Sequence, residues 1–186
     1  MAEKAAQTSP SLTTKEPGVK ELRERTRGRF TTTYYVCCNP PQPNNFVFSA
    51  PVEGRYIGWY AAAYGYSGFL RWAYDAWPAD PMRDARHTLW PAGDCFLVYP
   101  GGNSSIRFEK LREGIVDYEK IRILRQLASR SSNEKVKDLM KSVEIHLSRF
   151  TGERDYAKRD YNAPRMTESV EQGKRLIEAL SLELGQ

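Results

Sequence analysis

The sequence predicts an α/β fold of the strand–loop–helix kind that builds part of a (β/α) barrel, and three observations predict it. Two short apolar segments, Phe69–Tyr74 and Cys95–Tyr99, end in aromatics and run into loops rich in Trp, Pro, Asp and Gly. A long helical pattern follows the second loop. The stretch Phe30–Cys38, FTTTYYVCC, is dense in β-branched and aromatic residues and reads as a further buried strand. In barrels of this kind, residues at the C-terminal ends of strands point into one shared mouth.

Taken in order, residues 1–17 are small and polar and read as a disordered tail. Lys20–Arg27 carries Val19 and Leu22 on one face and stops at Gly28, as the last turns of a helix would. The strand Phe30–Cys38 is halted by Asn39-Pro40-Pro41-Gln42-Pro43, because proline lacks the ladder N–H. From Val52 to Tyr64 a helix fits, with Ile57, Tyr60, Ala61 and Tyr64 at three-to-four spacing and Gly65 as its stop. A helical crossover then makes the strands Phe30–Cys38 and Phe69–Tyr74 parallel. The long loop Asp75–Asp94 carries no helical pattern, and loops of that length are usually functional.

The remaining third is helical. Leu111, Ile115, Tyr118, Ile121 and Leu124 mark one helix, and Val136 to Phe150 mark a second, opened by a capping box Ser131-x-x-Glu134. Met166, Val170, Ile177, Leu180 and Leu184 mark a third that starts near Pro164. The organisation expected is a tail over 1–17, a partial barrel over 18–128 and two extra C-terminal helices within 129–186. A complete (β/α) barrel typically takes about 250 residues, more than the 186 present.

Composition excludes several classes. Net charge is +5 with a pI near 9.1, but the charges alternate in sign along the helices and form no basic stripe among the aromatics, so no nucleic-acid partner is expected. Cys37, Cys38 and Cys95 make no disulfide framework, and adjacent cysteines on a strand face opposite ways. Without a CxxC, and with His87 and His146 far apart, no metal and no cofactor is expected. No apolar membrane span is present, and residues 1–30 lack the apolar core of a signal peptide.

Aromatics make up 12% of the chain, and the surplus sits in its middle third. Trp72, Tyr74, Trp77 and Tyr99 lie at strand ends or in the loops beyond them, next to Asp75 and Asp94. Flat rings beside polar groups suit a sugar, whose CH faces stack while its hydroxyls take hydrogen bonds. The alternative for each ring is ordinary packing, and Trp90, which precedes its strand, reads as structural. Glycoside hydrolysis normally needs two carboxylates. Asp75, Asp80, Asp84, Asp94, Glu109, Glu113 and Asp117 are the candidates, and none fits a general acid. Asp84-x-Arg86 reads as loop-shaping and Asp94 as lying away from the mouth. Ser104–Glu109 opens a helix whose exposed amides and Arg107 could bind a ligand oxygen or anion; the favoured alternative is capping by Ser105 with Arg107 paired to a local acid. Gly101–Asn103 is a turn without phosphate-loop spacing.

Four blocks carry a family resemblance: TTTYYVCCNPPQPNNF, GRYIGWYAAAYGYSGFLRWAYDAW, DPMRDARHTLWPAGDCFLVYPG and SSIRFEKLREGIVDYEKIRIL. In this order and spacing they resemble the C-terminal part of the catalytic barrel of glycoside hydrolase family 123, over Leu22 to Leu127. The resemblance implies a (β/α)8 barrel of the TIM type whose last three strands are Phe30–Cys38, Phe69–Tyr74 and Cys95–Tyr99. It implies a retaining, substrate-assisted hydrolysis of N-acetylhexosamine glycans of the GalNAc type, served by an adjacent Asp-Glu pair on an earlier strand. This sequence contains no Asp-Glu dipeptide. The chain is therefore expected to be a C-terminal fragment, inactive alone, that keeps the sugar wall of Trp72, Tyr74, Trp77 and Tyr99. Its partners would be a carbohydrate and the missing N-terminal half of the barrel, and its location would be secreted or periplasmic by family analogy. The alternative is a non-catalytic carbohydrate-binding or structural remnant.

Overall fold

The computed structural model describes residues 31–36, 42–87, 89–151 and 162–185. The tail, the helix end at Lys20–Arg27, Phe30 and the pair Cys37–Cys38 lie outside the described residues. The fold is mixed α/β. In chain order it comprises β1 (Thr33–Tyr34), α1 (Pro51–Tyr64), β2 (Gly68–Phe69), α2 (Ile106–Ala128), α3 (Glu134–Ser148) and α4 (Ala163–Leu184). Single 3-10 turns at Pro100–Gly102 and Arg149–Thr151 precede α2 and follow α3.

Helix α1 is the hub. Nine of its residues are buried, from Glu53 to Ala62, because β1 and β2 cover one side and the other helices cover the rest. A helix apolar all round is a buried one, and here only small residues allow that closeness. A Cβ on Gly58 would lie 2.0 Å from the Gly114 carbonyl oxygen of α2, so α1 and α2 cross backbone to backbone. The helix starts where the Glu53 carboxylate accepts the Ala50 N–H at 2.9 Å and the Asn44 N–H at 2.8 Å. It ends at Gly65, whose φ of 70° is the left-handed conformation that favours glycine.

Strands β1 and β2 pair in parallel, Thr33 with Gly68 and Tyr34 with Phe69, on either side of α1. Hydrogen bonds from Ser67 N to Thr32 O and from Leu70 N to Tyr34 O, both 2.7 Å, extend the ladder at its two ends. Tyr34, fully buried, anchors the strand to the helix by donating its hydroxyl to Ile57 O at 2.6 Å and stacking on Tyr66 at 5.0 Å. The parallel pair expected from the crossover is thus present, with a shorter ladder.

The Cys95–Tyr99 segment departs from expectation. It is not a strand parallel to β2. It bridges back on the chain in antiparallel sense, Asp75 with Phe96 and Tyr99 with Asn103. Leu97 N donates to Tyr74 O at 2.8 Å and Ala76 N to Cys95 O at 3.0 Å. Turns on both sides impose this: Gly93 at φ 82° before the segment, Gly101 and Gly102 at φ 76° and 77° after it.

The helical third agrees closely with the sequence. Ser105 caps α2 by accepting the Phe108 N–H at 3.1 Å, and α4 begins at Ala163 with Pro164 in its first turn. One detail differs: α3 is capped by Asn133, which accepts from Lys135 N at 2.9 Å, and not by Ser131. Ser131 instead accepts the Asn133 N–H, shaping the turn before the helix. The helices meet at Trp59, fully buried, which stacks on Phe150 with centroids 5.8 Å apart and donates its indole N–H to Asp117 at 2.9 Å. Gly173 of α4 makes room, since a Cβ there would lie 2.5 Å from that indole.

Candidate functional site

The antiparallel bridge between Asp75 and Phe96 sets the geometry of the loops, because it lays the segment after β2 alongside the one before α2. Three of the four wall residues therefore adjoin. Tyr74 and Trp77 flank the bridge on one segment and Tyr99 follows it on the other, with the Trp77 indole N–H donating to Val98 O at 2.8 Å. Tyr74 meets Phe108 of α2 edge-on at 5.7 Å, and Tyr99 meets Phe96 edge-on at 5.3 Å. Trp72 is placed differently. The strand expected over Phe69–Tyr74 is not continued past Phe69 by β2, and the Trp72 ring meets Trp90 at 5.5 Å.

Four of these rings have one side in contact and the other in solvent. Trp72 is 47% exposed, Tyr74 45%, Trp77 40% and Trp90 44%. Scattered exposed aromatics are ordinary, but several within adjoining loops form a patch of the kind that binds.

Beneath the patch lies a buried polar layer that sequence reasoning missed. Arg107 of α2, expected to pair with an acid, is held by main-chain carbonyls instead. Its Nη1 donates to three backbone carbonyls, Asn45 at 2.8 Å, Gly93 at 2.9 Å and Phe96 at 2.7 Å. Its guanidinium also lies 5.1 Å from the Phe96 ring centroid. Burial pushes the Arg107 pKa down, partly offset by the neighbouring Tyr99. A Cβ on Gly93 would lie 2.6 Å from Arg107 Nη1, so a glycine is required there on steric as well as conformational grounds. Arg71 reaches the same turn, donating to Gly93 O at 3.2 Å and to Asp94 O.

Asp94 is 1% exposed and sits in this turn, its N–H donating to Pro91 O at 2.9 Å. Burial raises its pKa, while Arg71 and the adjacent Trp72 indole oppose the rise. It therefore underlies Trp72, whereas the sequence placed it away from the site. No pattern in the sequence announces this layer; the one signal was the pair of charged residues, Arg71 and Asp94, each beside a turn or loop aromatic.

Four of the other candidate carboxylates, Asp84, Glu109, Glu113 and Asp117, hold structural partners. Asp117 holds Arg55 at 2.6 Å as well as Trp59, and Glu113 holds Lys110 at 2.6 Å. Asp84 clamps Arg86 at 2.6 Å, which lowers its pKa to about 2 and confirms its loop-shaping role. Glu109 pairs with Arg112 at 2.9 Å. Among the described residues no three His, Cys, Asp or Glu side chains gather as metal ligands, and no helix is long and apolar enough to cross a membrane.

Residues 2–124 match the family model for the glycoside hydrolase 123 catalytic domain. The chain belongs to glycoside hydrolase family 123. A family 123 glycoside hydrolase from Clostridium perfringens, structurally analysed for glycolipid glycan hydrolysis, is similar in structure, with a TM-score of 0.63 and 27% sequence identity. The similarity covers 89% of this chain and 29% of that one, so the chain spans under a third of the length of this family 123 relative. No curated protein matches the sequence. The family match takes in the whole aromatic patch and the buried layer beneath it, and it stops at Leu124 within α2.

Proposed function

We propose that this chain forms the C-terminal part of a family 123 catalytic (β/α)8 barrel that hydrolyses N-acetylhexosamine glycans of the GalNAc type. In this reading β1, β2 and the Cys95–Tyr99 segment are its last three barrel elements, and residues 18–128 form the partial barrel beside the helices of 129–186. Trp72, Tyr74, Trp77 and Tyr99 line the sugar pocket. The observation that carries the reading is the half-exposed aromatic patch lying inside the region matched to the family.

The chemistry is retaining and substrate-assisted. The 2-acetamido oxygen attacks the anomeric carbon, the glycosidic C–O bond breaks, and the leaving oxygen takes a proton from a general acid. Water then opens the cyclic intermediate, returning a proton to that residue. This route replaces the protein nucleophile of the two-carboxylate scheme. The Asp that orients the acetamide and the Glu that protonates the leaving group belong to an adjacent pair that this sequence lacks. They are supplied by barrel residues outside it. The role of this chain is to bind and orient the sugar, and it acts outside the cytoplasm, as family members do.

A second reading, a non-catalytic carbohydrate-binding remnant, is favoured by the same missing Asp-Glu pair. Hydrolysis of a chromogenic β-N-acetylgalactosaminide separates the two. The catalytic reading expects no turnover by the chain alone and turnover once it is joined to an upstream barrel half carrying Asp-Glu. Silence in the joined protein, with sugar binding retained, would establish the remnant.

A further inference from the structure

Trp90 was not among the residues read as a sugar wall, since a tryptophan ahead of its segment looks like packing. Its environment is different from that of a packed ring. The Trp72 and Trp90 indoles meet with centroids 5.5 Å apart and planes at 62°, and 47% and 44% of their surfaces stay in water. A fully buried aromatic side chain removes roughly 150–250 Å² from water, as Trp59 does at 0% exposure. Two neighbouring indoles that only hid from solvent would gain more by closing together or sinking into the core. These two instead form an open corner with two non-parallel apolar faces.

The corner is built on fixed supports. Arg71, next to Trp72, is tied to the carbonyls of Gly93 and Asp94. Asp94, buried at 1% exposure, also accepts from Arg71 Nη2 through its carboxylate at 3.4 Å. Trp90 enters a turn closed by the Asp94 N–H on Pro91 O at 2.9 Å and tied by the Val47 N–H on Ala92 O at 2.8 Å. The segment that carries Trp72 is thus tied through Arg71 to the braced turn that follows Trp90, which holds the two rings beside each other. Such preorganisation is what a binding surface gains from rigid supports.

We propose that Trp72 and Trp90 form a stacking corner that contacts adjacent sides of a single pyranose ring, making Trp90 a sugar-binding residue. This rests on the carbohydrate reading given above. The ligand class follows from ring chemistry. A galacto-configured pyranoside has its axial 4-hydroxyl on one face, which leaves a continuous CH patch from C3 to C5 on the other. That patch fits one indole face while the ring edge meets the second indole. A gluco-configured ring, all equatorial, offers a less continuous patch.

The test uses the full chain labelled with 15N, whose four tryptophans give four indole N–H signals, assigned by single Trp→Phe changes. The probe is methyl 2-acetamido-2-deoxy-β-D-galactopyranoside, with its gluco epimer as comparison. Saturable movement of the Trp72 and Trp90 signals together, stronger for the galacto sugar, is the expected result. Trp59, held on Asp117, should stay still. Trp90→Ala should weaken the apparent affinity about tenfold, the size of one good aromatic contact, with the Trp59 signal unmoved as proof of folding. Should that variant lose its fold, the titration of the unaltered chain decides alone. Saturable movement of Trp72 or Trp77 with Trp90 silent would overturn the corner and leave the carbohydrate reading standing. No movement of any exposed indole would overturn both.

Discussion

Asp117 and His146 show how much single residues carry in the helical core. The Asp117 carboxylate accepts from Arg55 Nε at 2.6 Å, from Arg55 Nη2 at 3.0 Å and from the Trp59 indole at 2.9 Å. Asp117→Ala leaves the buried Trp59 N–H without its acceptor and Arg55 with only its longer pairs to Glu113 at 3.3 Å and Glu171 at 3.6 Å, so a loss of about 1–3 kcal/mol is expected, read by chemical denaturation. Asp117→Asn, which keeps an acceptor for the indole, should cost less. His146 of α3 holds Ser169 O of α4 at 2.8 Å, and burial depresses its pKa below 6.5. A base with a depressed folded value binds fewer protons in the native state than in the unfolded one. Stability is therefore fully present above the ordinary value of 6.5 and declines as pH falls through it towards the lower folded value. Melting temperatures from pH 8 to 5 should fall on the acid side, and His146→Gln should flatten that fall. An unchanged slope in the variant would assign the effect elsewhere.

Among the elements, α1 is the most constrained. Gly58 faces Gly114 with no room for a methyl group, so Gly58→Ala must push α1 and α2 apart. The expected cost is about 3 kcal/mol or more, visible as a large drop in melting temperature, whereas Ala63→Gly, five residues on, should cost about 1 kcal/mol. The helices were legible in the sequence because their signals are local. Gly65, Pro164 and the three-residue spacing of Tyr118, Ile121 and Leu124 fix ends and faces without reference to the rest of the chain. The strands were legible only as extended apolar segments. Whether Cys95–Tyr99 pairs in parallel or folds back on Asp75 depends on the positive φ of Gly93 and Gly101 and on where distant residues close the turn. The site was half legible for the same reason. Composition pointed to Trp72, Tyr74, Trp77 and Tyr99, but Arg107 reaching Asn45 across 62 positions has no local signature.

For the whole molecule, much of the exposed apolar surface lies before α1 and between β2 and the first turn of α2, with more on the later helices at Ile145 and Leu182. Phe48 at 70%, Met82 at 66%, Leu89 at 78% and Ile106 at 58% join the half-exposed indoles. Phe48, Met82, Leu89 and Ile106 need a cover, which in the proposed barrel the preceding strands and their loops provide, leaving the indoles to the sugar. The chain alone should associate with itself as concentration rises, and the chain joined to the upstream half should sediment as a monomer with a single cooperative melt. Monomeric behaviour of the chain alone at high concentration would show that its loops need no cover.

The most direct measurement of the central claim is the effect of Trp72→Ala on kcat/KM for a β-N-acetylgalactosaminide in the joined protein. With Trp72 as sugar wall, the ratio should fall by about tenfold or more while the melting temperature stays within a few degrees, because the ring is half in water already. An unaltered kcat/KM would contradict the account and return the aromatic patch to packing.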